Sequence, residues 1–464
     1  MSFDLAIIGA GPAGMSAAIE AGRLGLSVVV LDEQPRAGGQ IYRKIGDTPV
    51  SDRAVLGPDY YHGQSLAEAF RRCDCRKLTG VAVWQIDDDG SVFYSRGGRS
   101  ESLQAQHILI ATGAQERPCP IRGWQLPGVM TAGAAQIMLK HSGVAAEGAV
   151  FAGSGPLLYL VASQYLKAGI SIKAILDTTP KRHYLAALKK LPAALKQPGY
   201  LLKGLGLIWQ LRRSGIPFVS GVTELEAVSE AGVLNSVRYR KAGQNHEIQT
   251  DHLFLHQGVI PQVNLALASG CEHRWDEQQL CWQPVTDEWG QSSARHISIA
   301  GDGGGIGGAK AAAIKGRVVA AGIAVRLGKL TPQQCDTDYQ KEHAELSKEL
   351  AVRPFLDRLY RPIQAMRLPQ HEETLVCRCE EVSFAGVKAA LSDGCMGPNQ
   401  LKSFTRCGMG SCQGRQCGPV VSELIAAERG KPVSEVGYYR VRAPIKPVTL
   451  ADIAALAEAN EERV

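Results

Sequence analysis

The chain has 464 residues, 45% of them apolar and 21% charged, and carries a net charge of +6. These values exclude a disordered or fibrous chain and leave room for about three domains with ordinary cores. The charge is too mild and dispersed to argue for nucleic acid, and apolar runs break well short of ~18 residues, so no transmembrane helix is expected.

The first apolar run, Asp4-Leu-Ala-Ile-Ile8, has no basic region before it, so no secretory signal is expected. It reads as a buried strand. Gly9-Ala-Gly11-Pro12-Ala13-Gly14 follows, then an Ala-rich helix and a second strand, Ser27–Leu31, that ends at Asp32 and Glu33. Gly-x-Gly-x-x-Gly between a strand and a helix is the dinucleotide fingerprint. Gly9 permits the tight turn, Gly11 lets backbone approach a pyrophosphate, and Gly14 allows close helix–strand packing. Phosphates then meet the free N–H groups of a helix N-terminus. Asp32 lies 23 residues after Gly9, about where a carboxylate meets an adenosine ribose.

Further along, Ile108-Leu-Ile-Ala111-Thr112-Gly113 ends a strand and returns to the same crevice. A second unit begins at Gly148: strand, Gly153-Ser-Gly155, Leu-rich helix, and a strand ending at Asp177. Its third glycine is replaced by Leu158, although Asp177 could still hold a ribose. Residues 181–213 form an insert with eight Lys/Arg and no Asp or Glu. It reads either as an amphipathic cover for a partner or an anionic membrane face, or as a solvated basic cap. The third Gly-rich segment, Ile297–Gly301-Asp302, places an acid before a late helix, where it can reach a ribityl hydroxyl. The segments at Ala111–Gly113 and Gly301-Asp302 point to FAD rather than NAD. Cys73 and Cys75 lie outside the expected dithiol positions and read as ordinary thiols. The eleven His are scattered, without zinc spacing.

The domains expected are a discontinuous nucleotide-binding domain (1–118 and 259–330), a second Rossmann-like domain (119–258), a charged helical linker arm (331–371), a cysteine module (372–430) and a tail (431–464). The cysteines crowd in the module, which argues for a cytosolic metal or redox role. Cys377-Arg-Cys379 is followed by Gly408-Met-Gly-Ser-Cys412-Gln-Gly-Arg-Gln-Cys417. Two close pairs of thiolates suit two irons or one zinc. Cys412 and Cys417 are preferred over Cys407, which offers another pairing at the same spacing. Ser383 is expected to cap a helix through Ser392, and Pro419 to start another.

The first 330 residues resemble the glutathione and thioredoxin reductase superfamily, with an α/β fold of two Rossmann-like dinucleotide-binding domains. By that resemblance Gly38-Gly39-Gln40 lines the pyrophosphate and flavin, and the backbone at Ala82 meets the adenine. The module resembles the small helical [2Fe–2S] domain of bacterioferritin-associated ferredoxin. The full order of motifs resembles the larger flavoprotein subunit of heteromeric amino-acid dehydrogenases: opine oxidases, D-hydroxyproline dehydrogenase and hydrogen cyanide synthase. The resemblance implies FAD, or an adenine nucleotide in the same pocket, together with [2Fe–2S] and FMN at a subunit interface. It implies a smaller glycine/D-amino-acid oxidase-like flavin subunit, a small ferredoxin-like subunit, and a respiratory quinone acceptor. The expected place is the cytoplasm, at the inner face of the membrane. A stand-alone NAD(P)H-dependent oxidoreductase and a nucleotide-binding scaffold are the alternatives.

Overall fold

The structure, a computed structural model, describes residues 2–461, with side chains described to residue 456. Its first sheet has seven strands. Ser2–Ile8 lies at the centre, parallel to Val28–Asp32 on one side and Arg99–Ile110 on the other. Ile8 stands opposite both Leu31 and Ile110, so three strands end at one level. The strand is apolar without alternation because both of its faces are covered. Leu5, Ala6 and Ile7 are fully buried.

One face packs against helices Pro12–Arg23 and Ala309–Arg326. Small residues set how closely these helices approach. A Cβ on Gly316 would stand 2.2 Å from the Ala13 carbonyl oxygen. The other face joins one continuous apolar core with the cysteine module, running from Ile8 and Ile110 to Val387, Leu424 and Tyr439.

Short antiparallel strands, Ala114–Glu116 and Val259–Pro261, carry the chain out to a second body and back. That body holds a five-stranded parallel sheet ordered Phe218–Ser220, Ile172–Asp177, Ala149–Ser154, Leu253–Gln257, Val129–Thr131. A three-stranded antiparallel sheet, 222–249, covers it.

The segment 331–371, expected as a linker arm, is a docked strap of four helices. Its helix Gln340–Leu350 lies on Ala309–Arg326, and Arg353–Leu359 lies on Lys181–Leu188 of the insert. Tyr339 donates its hydroxyl to Glu20, which also holds Arg23. The helix starting at Leu450 packs on strand Arg99–Ile110. Among the described residues no helix is long and apolar enough to cross a membrane.

A buried ion triad fixes the module to the strap and to the segment just after strand Ala114–Glu116. Glu423, on the module helix Gly418–Arg429, is 7% exposed and pairs with Arg367 of the strap. It also lies 3.9 Å from Arg117, whose guanidinium donates to the carbonyls of Gln279 and Leu280. Burial pushes Arg367 down to about 9 and also lowers Arg117. Glu423→Ala would strand two buried cations and should cost about 3–5 kcal/mol in urea unfolding. A loss below about 1 kcal/mol would contradict the clamp.

His107 is buried on strand Arg99–Ile110 of the first sheet, 2.9 Å from the Ser298 hydroxyl, and desolvation pushes it down to about 3. The unfolded chain therefore takes up this proton first, near 6.5. Stability should be full above pH 6.5 and fall as pH drops toward 3. His107→Gln should flatten part of that slope in acid unfolding.

Candidate functional site

The first glycine loop is built by close backbone approach. A Cβ on Gly14 would stand 1.8 Å from the Gly9 carbonyl oxygen, so the first turn of helix Pro12–Arg23 fits only with a glycine there. Gly9 has φ +108°, and a Cβ on it would strike the Ala111 carbonyl. Gly11 differs: its hypothetical Cβ meets only Gly39 Cα at 3.7 Å, and its φ is −76°. Nothing in the fold requires glycine at Gly11, which leaves a ligand's close approach as the reason for it.

The loop opens on a cavity of about 860 Å³. Among the sequence-predicted nucleotide residues, Gly9, Gly11, Pro12, Ala13, Asp32 and Glu33 line it. So do Gly39, Gln40, Ala111, Thr112, Gly113, Gly301 and Asp302. Gly14, Gly38 and Ala82 do not, and Gly38 is instead packed against the Tyr42 carbonyl, 2.4 Å from where its Cβ would stand. Gly14 is consumed by packing, and Ala82 lies between Val81 and Val83, which do face the cavity.

Asp32 is held on both oxygens, accepting from the Ala10 N–H at 2.6 Å and the Gln34 N–H at 2.7 Å. Burial nevertheless raises its pKa. Asp302 accepts from the N–H groups of Gly307 and Gly308, which pins the turn before the late helix. Asp32 accepts one bond on each oxygen and Asp302 takes both of its bonds on Oδ1, leaving Oδ2 free, so both acids remain able to hold a hydroxyl.

Several lining residues carried no sequence signal. Arg43 reaches Gln34 and leaves a buried Nε without a partner. Lys446, from the tail, pairs with Glu33 at the rim. Behind the lining, Lys140 of the second body donates its Nζ to the carbonyls of Gln40 (2.8 Å) and Ile41 (3.3 Å). It is 2% exposed, and desolvation lowers it to about 7.

The second glycine loop faces the same cavity through Ser154, Gly155 and Pro156. His256 Nδ1 lies 2.6 Å from Glu116, whose other oxygen accepts from the Gly133 N–H. Leu158 is fully buried where a third glycine would let the helix approach more closely. Asp177, expected to be able to hold a ribose, is 1% exposed and lies outside the cavity lining. Its carboxylate accepts from the Thr179 N–H, and Tyr159, Tyr184 of the insert and Tyr360 of the strap stand near it. The strap has closed over that end of the site.

The module helices are Phe384–Ser392, capped by Ser383 at the Gly386 N–H, and Gly418–Arg429 with Pro419 in its first turn. Cys412 and Cys417 lie in the segment just before the second helix. The sulfurs of Cys377, Cys407 and Cys417 come within 4.8 Å of one another. Cys407 and Cys417 donate to Cys377, which holds its thiol down at about 2. Cys379 and Cys412 form a second pair beside them, with Cys379 exposed. The fold thus divides the four expected thiols: Cys377 and Cys417 group with Cys407, whereas Cys379 and Cys412 form a separate pair. Cys407, Cys412 and Cys417 are pushed up, so the group favours a single thiolate at Cys377, and its soft sulfur donors suit a thiolate-bound metal or cluster. Tyr439 of the tail donates its hydroxyl to Cys407.

The module is seated on the cavity by direct bonds. Gln115 donates to the Arg415 carbonyl, Asn264 to the Gln413 carbonyl, and Trp124 to the Leu375 carbonyl. Arg378, Arg415 and Gln416 form part of the cavity wall.

These contacts separate two glycine roles. Gly14→Ala should destabilise the fold by several kcal/mol, because the Gly9 backbone carbonyl cannot move away from a 1.8 Å contact without disrupting the strand end. Gly11→Ala should fold within about 1 kcal/mol of the parent and lose bound nucleotide. Thermal unfolding and extracted nucleotide per chain check both. A nucleotide-replete Gly11→Ala chain would contradict the assignment.

Residues 3–316 match the pyridine nucleotide-disulphide oxidoreductase family, and residues 371–457 match the sarcosine oxidase A3 domain. The opine oxidase A-subunit of Agrobacterium tumefaciens is 44% identical, with 98% of this chain and 92% of that one covered. Hydrogen cyanide synthase subunit HcnB of Pseudomonas aeruginosa is 32% identical, with 97% of each covered. Among solved structures, L-proline dehydrogenase from P. horikoshii superposes with TM-score 0.71 at 20% identity, covering 98% of this chain and 79% of that one. Thioredoxin reductase of T. acidophilum superposes with TM-score 0.52 at 22% identity, over 70% of this chain and 99% of that one. Both likenesses concern the fold. The chain belongs to the pyridine nucleotide-disulphide oxidoreductase family, in the branch that holds the opine oxidase A-subunit and hydrogen cyanide synthase subunit HcnB.

Proposed function

We propose that this chain is the flavin and [2Fe–2S] electron-transfer subunit of a heteromeric dehydrogenase that oxidises an amino acid, opine or imino acid. The observation that carries the reading is the shared cavity wall. Arg415 and Gln416, directly before Cys417, line the same space as Gly9 and Gly11. Flavin exchanges one or two electrons and a [2Fe–2S] cluster carries one, so the pair suits a switch between the two modes.

The residues of this chain would bind and orient. Gly11 admits the pyrophosphate, Asp32 holds the ribose, and Asp302 the ribityl chain. FAD fits these residues; the loop also accepts the ADP half of another adenine nucleotide. Lys140 fixes the turn after Gly39 by the carbonyls of Gln40 and Ile41. Cys377, Cys379, Cys412 and Cys417 would ligate the irons. The amine would be oxidised in a smaller partner resembling glycine or D-amino-acid oxidase, with FMN at the interface. A small ferredoxin-like subunit would complete the complex. Electrons would leave toward the respiratory quinone pool from a cytoplasmic assembly.

A stand-alone NAD(P)H oxidoreductase is disfavoured by Leu158 and by Asp177, buried beside Tyr184 and Tyr360. NADH should therefore not bleach a flavin bound to the isolated chain.

Metal analysis of anaerobically purified protein tests the cluster. About two irons and two acid-labile sulfides per chain are expected. Cys379→Ser should lose them, whereas Cys407→Ser should keep them. Zinc or no metal would contradict the reading. Retention in Cys379→Ser with loss in Cys407→Ser would move the ligand set to the buried triad.

A further inference from the structure

The insert, residues 181–213, folds as helices Lys181–Leu188, Leu191–Ala194 and Pro198–Arg213. Their inner face is buried through Ala187, Ala194 and Leu211. The insert is tied down at its edges. Tyr200 and Gln197 both donate to Glu349 of the strap, and Ser163 donates to Gln210. It is therefore a fixed platform.

The outer face is unusual for a protein surface. Leu185, Leu188, Leu195, Leu202, Leu205 and Trp209 are 55–71% exposed. Scattered exposed apolar residues need no explanation, but a contiguous set on one short segment does. On the long helix, Leu202, Leu205 and Trp209 fall at i, i+3 and i+7, one stripe. The cations surround them. Lys203 pairs with Asp59, and Arg212 lies over the Phe218 ring. Lys181, Arg182, Lys189, Lys190, Lys196 and Arg213 are exposed, and the segment contains no acid to neutralise them.

We infer that residues 181–213 form a docking face for an anionic lipid bilayer, with the leucines and Trp209 entering the interface and the lysines and arginines meeting the headgroups. Charge decides between a membrane and a protein partner. Protein interfaces are depleted in lysine, whereas five of the eight cations here are lysine. A basic rim around Leu and Trp is the composition of a helix lying in the bilayer surface. Trp209 stacks with Arg213 at 4.6 Å, which joins an apolar ring to a headgroup-seeking cation. Vesicle binding needs neither flavin nor iron, so this face is independent of the electron-transfer reading.

Co-sedimentation tests it on the full chain and on the complex in which it purifies. The probes are phosphatidylcholine vesicles with and without phosphatidylglycerol. Binding should require phosphatidylglycerol and weaken with salt. Trp209 emission should shift to shorter wavelength on binding, a change absent from Trp209→Phe. Leu202→Ser with Leu205→Ser should weaken binding at least about tenfold. Lys189→Glu with Lys190→Glu should abolish the lipid preference, and both variants should keep the parent's thermal midpoint. Three outcomes would overturn the inference: no binding to either vesicle, binding untouched by the variants, or a complex that binds no vesicle and loses a partner chain on Leu202→Ser with Leu205→Ser.

Discussion

Glu423 holds the cysteine module where its chemistry can count. One carboxylate, buried between Arg117 and Arg367, joins the module helix to the crossover strand and to the strap. Such a triad adds little net stability over an apolar substitute, but breaking it leaves charge buried. It therefore specifies position. The apolar core that continues from Ile110 to Leu424 supplies the bulk attraction, and the ions select one seating. With the module so placed, Arg415 and Gln416 become wall of the nucleotide cavity.

The second body contributes less as a nucleotide site than as a brace. Its glycine loop survives, yet its acid is shut away beneath tyrosines and its third glycine is a leucine. What it gives the first body is Lys140, which reaches across to two carbonyls of the turn after Gly39. A lysine lowered by burial and still satisfied by carbonyls is a positioning device. The strap serves the same end, since it packs on both bodies and supplies Arg367 to the triad.

Local features are legible in the sequence. The strand, turn and helix around Gly9 follow from apolar runs and glycine spacing, which depend on neighbours only. Ser383 as a cap and Pro419 in a first turn are equally local. Asp302 is readable because an acid after a buried strand and before a helix has few other places to go. What the sequence hides is long-range. Lys140 meets Gln40 across 100 residues, and no spacing rule connects them. Asp177 reads as available because Tyr360, which closes over it, arrives from the strap. Spacing alone does not tell that Cys407 returns beside Cys377 and Cys417, where Tyr439 of the tail donates to it. The strap reads as a linker because its charged helices hide few apolar residues.

A flavin and a cluster sharing one conduit in this chain is the proposal to test. An anaerobic reductive titration, followed together by absorbance and electron paramagnetic resonance, tests it directly. The account predicts about three electrons per chain, two on flavin and one on a [2Fe–2S] centre whose signal grows as the flavin bleaches. Uptake of two electrons with no iron–sulfur signal, or no reducible group at all, would contradict it.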